Sequence, residues 1–413
     1  MNIIDDLEWR GAINQMTDEE GLRALTSEKA VSLYCGVDPT GDSMHIGHLI
    51  PFMILRRFQL AGHKPVILIG GATGSIGDPS GRTSERVLQS MEQVQHNVEK
   101  LTAQMKKLFF TTDEDQATLR LVNNYDWTKD LSLLDFLRDY GKHFNLNTML
   151  AKDVVASRLE VGISFTEFSY QILQSMDFLH LFKTEDVQVQ IGGADQWGNI
   201  TSGLELIRKV EGAESRAYGL TIPLMLKSDG TKFGKSAGGA VWLDPEKTSP
   251  YDFYQYWRNV ADADVLKCIR LLTFLPLEQI DEMDSWEGSK LNEAKEILAF
   301  ELTKLVHGEE EAQKAQEAGR ALFAGTGSMD NVPVCELKAE DFENGSIDIL
   351  SVLVKSGLSS SRSEARRNVE QGGVSVDTQL VNDIKTLYSK DDFKAEGKLV
   401  KRGKKSFVKV YIK

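Results

Sequence analysis

The chain has 413 residues, 41% of them hydrophobic, and a formal net charge of −13 at pH 7, which suits a soluble globular protein of two or three domains and opposes nonspecific affinity for nucleic acid. Its three cysteines, Cys35, Cys268 and Cys335, are far apart and odd in number, which argues against a disulfide framework and a thiolate zinc site. The start of the chain is acidic where a signal peptide needs base, and no apolar run approaches membrane-spanning length, so a cytoplasmic protein is expected.

Residues 1–30 read as helical, with Thr17-Asp-Glu-Glu20 as a capping start before Leu22 and Leu25. Next comes a short β-prone run at 31–34, and then 38–43 is dense in turn and N-cap residues. A helix is predicted from about Met44 to 61. The free N–H groups of its first turn suit a phosphate, His45 and His48 share a face there, and Gly47 leaves room for an adenine or ribose. The bland alternative is four ordinary residues at a helix start.

The continuous apolar run 64–69 predicts a strand buried on both faces, and strand, helix, strand predicts a parallel sheet. The run ends in a glycine-rich loop, 70–82, where ligands bind in doubly wound folds. The loop is neither a dinucleotide fingerprint nor a P-loop, because no Gly-Lys-Ser/Thr follows the strand. Asp78 at its end suits a substrate ammonium, and Arg82 and Arg86 suit phosphates. Residues 87–160 read as a mostly helical insertion. In 165–180, Tyr170, Gln174 and Asp177 are spaced to share one face of an otherwise apolar helix. That stripe lacks the Lys and Glu of a solvent face, so it is read as lining a site.

The alternating run 187–191, which contains Gln190, leads into Gly192-Gly-Ala-Asp195-Gln196, where an acid commonly takes ribose hydroxyls. A helix over 199–210 ends in Arg208-Lys209, and 220–225 is strand-like. The loop 227–239, with its glycines and lysines, predicts mobility and anion binding. Residues 250–323 read as helical, and 324–345 has linker composition. From 346 onward there are 14 basic and 8 acidic side chains, a net +6 that leaves −19 on the rest. A basic tail on an acidic body predicts a polyanion partner at one end. Arg362, Arg366 and Arg367 lie within about one helical turn of each other, as phosphate contacts require.

Three motifs stand in order: His45-Ile-Gly-His48, Gly192-Gly-Ala-Asp-Gln-Trp-Gly198 and Lys232-Phe-Gly-Lys-Ser236. On these the chain resembles the class I aminoacyl-tRNA synthetases, and within them the bacterial-type tyrosyl-tRNA synthetases, over essentially its full length. The lysine motif departs from the general Lys-Met-Ser-Lys-Ser, but its Phe-Gly is similar to bacterial tyrosyl enzymes. The resemblance implies an α/β catalytic domain, a Rossmann-like doubly wound parallel sheet over 1–245 with a helical insertion at roughly 87–186. It further implies an all-α anticodon-side domain over 246–323, a linker over 324–345 and a small α+β S-four-like RNA-binding domain over 346–413. The implied reaction is attack of the L-tyrosine carboxylate on the α-phosphate of ATP, then transfer of tyrosine to the 3′-terminal adenosine of tRNA(Tyr). Mg²⁺ is expected with the ATP, zinc is not, and a homodimer through the insertion is implied, with no membrane.

By the same resemblance Thr40, His45, Lys232 and Lys235, with Arg82 and Arg86, act on the phosphates, and His48 and Cys35 lie by the ribose. Gly36, Asp38, Gly47, Gly193, Asp195, Gln196, Phe233, Gly234 and Ser236 complete the ATP site. Tyr34 and Asp177 meet the phenol, Asp78, Tyr170 and Gln174 receive the ammonium, and Gln190 completes the tyrosine pocket. Arg208, Lys209, Arg362, Arg366, Arg367, Lys401, Arg402, Lys404 and Lys405 are assigned to tRNA. Among alternatives, a nucleotidylyltransferase needs no RNA-binding tail, and a tryptophanyl synthetase has no use for the Tyr34–Asp177 pair. An RNA-binding protein with a retired synthetase-like domain is the alternative from another class, and the intact histidines and lysines stand against it.

Overall fold

The computed structural model describes all residues except 1, 82–83, 160, 232, 237–238, 325–333, 343–344, 378, 395–396, 404–405 and 413, together with the side chains of 114, 116, 154, 235–236 and 321–324. The chain divides into two compact units, Met1–Ser249 with Trp257–Val306, and Pro250–Tyr256 with His307–Lys413.

The first unit is built on six strands, β1 (Gln15–Met16), β2 (Ser32–Val37), β3 (Lys64–Ile69), β4 (Arg120–Asn123), β5 (Val187–Gly193) and β6 (Tyr218–Ile222), in the order β1-β6-β5-β2-β3-β4. The apolar run of β3 and the more mixed sequences of β5 and β6 are almost wholly buried, as strands covered on both faces are. Strands β2 to β6 pair in parallel, but β1 pairs antiparallel with β6, so the sheet is mixed rather than wholly parallel. That strand interrupts the N-terminal stretch read as helical: it separates helices Ile3–Trp9 and Glu19–Glu28. Two residues are too few to show a period, and they are held by tertiary hydrogen bonds from Asn14 N–H to Thr221 O (2.7 Å) and from Thr17 N–H to Gly219 O (3.0 Å). The second helix is capped by Asp18 rather than Thr17. Strand β4 lies within the stretch read as a helical insertion, and its four residues sit at the sheet edge.

Helix Ile46–Leu60 connects β2 to β3, and helix Trp197–Glu211 connects β5 to β6. The chain thus winds outward from β2 on one side and from β5 on the other. The strand order reverses between these two neighbours, the point at which such sheets open a crevice at their carboxyl ends. Tyr34 and Gln190 are register partners across it. Behind them Tyr34, Val66, Leu68, Ile172, Met176, Phe178 and Val187 pack into one apolar cluster. A short hairpin, β7 (Lys235–Ser236) and β8 (Gly239–Ala240), follows β6.

The second unit contains β9 (Val334–Leu337), β10 (Ser346–Asp348), β11 (Val374–Val376), β12 (Gln379–Leu380), β13 (Leu387–Ser389), β14 (Lys398–Arg402) and β15 (Ser406–Ile412). Five form a sheet in the order β12-β11-β14-β15-β9, and β10 pairs with β13. Helices Ile349–Lys355 and Arg362–Glu370 supply Ile349, Val352, Leu353, Ala365 and Val369 to a core shared with Val374, Val400 and Val410. Strand β9, parallel to β15, lies inside the stretch read as linker, so 334–337 belong to the sheet. Among the described residues, no helix is long and apolar enough to cross a membrane.

Candidate active site

A cavity of about 680 Å³ opens at the carboxyl ends of β2 and β5. Its phosphate-friendly end is the start of helix Ile46–Leu60. His45 is the N-cap: its Nδ1 accepts from Gly47 N–H (3.0 Å), and its ring stacks on His48 with centroids 3.9 Å apart. One of the helix-start donors read as free is therefore engaged by the motif's own histidine. A Cβ at Gly47 would come within 2.9 Å of His45 Cε1, so a side chain there would displace the His45 ring. Burial, reinforced by the positive charges of His45 and Arg86, holds His48 down to about 3, so it is a neutral imidazole at physiological pH.

The lysine motif is stitched to this helix start. Ile46 N–H donates to Val241 O (3.1 Å), Val241 N–H to Gly234 O (2.9 Å) and Leu243 N–H to Met44 O (2.9 Å). Gly234 has φ of +89°, and a Cβ there would lie 3.2 Å from Gly47 N. Phe233 and Gly234 line the cavity. Lys232 and Arg82 lie outside the described residues, as do the side chains of Lys235 and Ser236.

At the other end, helix Phe165–Glu185 turns its polar stripe of Tyr170, Gln174 and Asp177 into the cavity. Asp177 accepts from Asn124 Nδ2 and Trp127 Nε1, both at 2.9 Å. Tyr170 O–H donates to Asp38 Oδ2 (2.9 Å), whose other oxygen accepts from Thr73 (2.7 Å). Asp78 accepts from Gln196 Nε2 (2.7 Å) and Ser80 N–H (2.9 Å), and Asn199 Nδ2 donates to Gln174 Oε1 (3.1 Å). Among the described residues, two polar atoms at the base are buried without a partner, the Tyr34 hydroxyl and Gln190 Oε1.

Burial pushes Asp177 up to about 7 against the pull of Asn124 and Trp127. It pushes Asp38 up to about 6, opposed by its hydrogen bond from Thr73. The Tyr34 and Tyr170 phenols and the Cys35 thiol are raised by burial too, the thiol to about 12, which leaves no thiolate nucleophile here. Four acids, Asp38, Asp78, Asp177 and Asp195, lining one partly desolvated space favour a cation. The arrangement can therefore hold an ammonium at one wall, a hydroxyl at the base and an anion at the helix start.

Thr40, Gly36, Gly193, Asp195 and Arg86 also line the cavity. Sequence reasoning missed Thr73, Ser80, Asn124, Trp127 and Asn199, which orient the residues it did find. No local spacing singled these residues out, although Thr73 and Ser80 fall within the glycine-rich loop 70–82. Arg208 and Lys209 do not line the cavity: both are exposed in the last turn of helix Trp197–Glu211, and Lys209 Nζ donates to His143 O (2.6 Å). In the second unit Arg366 and Arg367 are exposed, Arg362 pairs with Asp348, and Arg402 pairs with Glu364. Lys401 is half-buried on β14, and Lys404 and Lys405 lie outside the described residues. Among the described residues, no group of three or more His, Cys, Asp or Glu side chains is arranged to hold a metal ion.

The family described as tRNA synthetases class I (W and Y) matches residues 26–324, and the Tyrosine–tRNA ligase SYY-like C-terminal domain matches residues 326–410. The chain is similar to Tyrosine–tRNA ligase 2 of Bacillus cereus (strain ZK / E33L), 58% identical over 98% of this chain and 99% of that protein. It is also similar to the Tyrosine–tRNA ligase of Limosilactobacillus reuteri, 56% identical over the full length of both. Among solved structures it resembles a C-terminally truncated Aspergillus nidulans mitochondrial tyrosyl-tRNA synthetase, with 33% identity, a TM-score of 0.69 and coverage of 78% of this chain and 94% of that one. The chain belongs to the class I tRNA synthetases of the tryptophan and tyrosine branch. Within that branch the full-length likeness and the C-terminal match make it a member of the tyrosine–tRNA ligases.

Proposed function

We propose that the cavity runs the first step of the tyrosine–tRNA ligase reaction with both substrates bound end to end. L-Tyrosine lies with its phenol at Tyr34, Gln190 and Asp177 and its ammonium among Asp78, Tyr170 and Gln174. ATP lies along the helix start, with Cys35, Gly36, Gly47, His48, Gly193, Asp195 and Gln196 around adenine and ribose. Asp38 braces Tyr170 from below. The tyrosine carboxylate attacks the α-phosphate in line, and pyrophosphate leaves. No protein nucleophile is needed, so the rate comes from positioning and from charge placed where charge develops. Thr40, His45 and Arg86 serve the leaving phosphates, joined by Arg82, Lys232 and Lys235 of the two flanking loops. Each such donor contributes on the order of 3 kcal/mol to the transition state. Mg²⁺ would accompany ATP and offset charge on its phosphates.

The observation that carries this reading is the pair of unpartnered buried atoms, Tyr34 OH and Gln190 Oε1, at the base beside Asp177. A phenol hydroxyl supplies what they lack. Phenylalanine leaves them unsatisfied and tryptophan does not match them, so selectivity needs no editing step. The retired-domain alternative is not favoured, since the full-length relatives are named as ligases. Tyrosine-dependent exchange of pyrophosphate into ATP tests the reading. Exchange supported by tyrosine alone is expected, and exchange with phenylalanine or tryptophan at a comparable rate defeats it.

The second step transfers tyrosine to the 3′-terminal adenosine of tRNA(Tyr). Arg208 and Lys209 take the acceptor end, and Arg362, Arg366, Arg367, Lys401, Arg402, Lys404 and Lys405 of an S-four-like module hold the distal part, with 246–323 as the anticodon-side helical segment. A homodimer through the inserted segment is supported by large apolar side chains left in water there, among them Leu134 (76% exposed), Phe165 (74%) and Val161 (70%). The cytoplasm, where aminoacylation is needed, is the proposed location.

A further inference from the structure

Arg86 reaches the cavity from a stretch, 84–90, that is neither helix nor strand, so tertiary contacts must aim it. Three do. Its Nε donates to Asp78 O (3.2 Å). Its stem lies flat on Gly77, where φ is +93° and a Cβ would come within 2.8 Å of Arg86 Cδ. Its main-chain N–H donates to Glu167 Oε1 (3.3 Å). Glu167, in the first turn of helix Phe165–Glu185, is 1% exposed, and its other oxygen accepts from Arg158 Nη2 (2.8 Å). Arg158 is 2% exposed and also donates to Gly162 O (3.2 Å), while its Nε and Nη1 have no partner among the described residues.

An ion pair this deep is a poor source of stability, because desolvation offsets the attraction and two guanidinium donors stay unpaired. Its geometry has another consequence. The pair joins helix Asp153–Leu159 of the inserted segment to the start of the stripe-bearing helix, and it presents a fixed carboxylate oxygen to the backbone of the one described arginine that lines the cavity. We propose that Arg158 and Glu167 are a positioning pair for Arg86: Arg158 orients the Glu167 carboxylate, which pins the Arg86 backbone so that the guanidinium faces the ATP phosphates. This rests on the reading of Arg86 as a phosphate ligand given above. Arg86 lines the same cavity as His45 and His48 of the helix start.

The test compares two double variants of the full chain that both lack the buried charges. Arg158→Met/Glu167→Leu removes the acceptor for Arg86 N–H, whereas Arg158→Met/Glu167→Gln keeps one. In tyrosine-dependent exchange the leucine variant loses roughly tenfold in kcat/KM for ATP, while its Kd for tyrosine stays within about twofold of wild type. The glutamine variant recovers only in part, to within about threefold, because its amide oxygen still accepts from Arg86 N–H but lacks the Arg158 donor that orients it. Introduced into Arg86→Ala, the leucine pair costs less than about twofold more, because its effect runs through Arg86. The proposal is overturned if the tenfold loss persists in the Arg86→Ala background, if both double variants lose equally, or if tyrosine affinity falls in parallel. If Arg86→Ala by itself leaves the ATP parameters unchanged, the reading of Arg86 fails and takes the proposal with it. A loss in Arg86→Ala with none in the leucine variant overturns the positioning role alone.

Discussion

Replacing Tyr34 by phenylalanine separates stability from specificity. The side chain is 1% exposed, its ring sits 5.4 Å from that of Phe178, and its hydroxyl is buried without a partner. An unpartnered buried hydroxyl costs about 1–3 kcal/mol. Removing it with the ring packing intact should stabilise the substrate-free protein by about 1 kcal/mol, a rise in melting temperature of roughly 2 °C. In the proposed binding mode tyrosine supplies the missing partner, and one such hydrogen bond contributes about 1 kcal/mol net. Tyr34→Phe should therefore lower the preference for tyrosine over phenylalanine by roughly fivefold. The assays are thermal denaturation without substrate and kcat/KM in pyrophosphate exchange for each amino acid. A less stable substrate-free variant, or an unchanged preference, refutes the reasoning.

Asp177 is pushed up to about 7 in the fold, so between its ordinary value and that pH the unfolded chain has already lost the proton that the folded protein keeps. Wild type should accordingly lose stability relative to Asp177→Asn as pH rises from about 4 to about 7, by on the order of 4 kcal/mol, and a constant gap in urea midpoints would contradict this. Gly234→Ala meets both a φ of +89° and the Gly47 nitrogen, and the backbone strain alone is worth about 1–2 kcal/mol. Exchange at varied ATP should show kcat/KM for ATP down by roughly tenfold with tyrosine affinity unchanged, and equal effects on both substrates would argue against a role at the phosphate end. Arg366→Glu with Arg367→Glu, both exposed, should leave exchange intact while raising KM for tRNA roughly tenfold and flattening its salt dependence. Unaltered charging would remove these residues from the tRNA surface.

The parts of the fold that a local pattern can carry were legible. Strand β3 announces itself because burial on both faces demands a long apolar run, β5 by its alternation into a glycine turn, and the stripe Tyr170, Gln174, Asp177 because three polar residues at helical spacing break an apolar surface. Strand β1 was hidden because two residues have no period, and β9 because its register is set by β15, some seventy residues away. The second layer of the site was invisible for a related reason. Asn124 and Trp127 grip Asp177 from about fifty positions upstream, and Thr73, beyond β3, meets Asp38, beyond β2, so neither contact leaves a mark on local spacing. The division of the chain was equally illegible. Residues 250–256 pack with 307–413 while 257–306 pack with 1–249, an exchange that composition does not register.

A single-turnover experiment tests the central claim most directly: incubate the protein with L-tyrosine and ATP, remove free substrates by gel filtration, then add tRNA(Tyr) without further ATP. The account predicts tyrosyl-adenylate retained on the protein and its tyrosine transferred to the terminal adenosine of the tRNA. A protein that retains no adenylate, or that forms one as readily with phenylalanine or tryptophan, contradicts it.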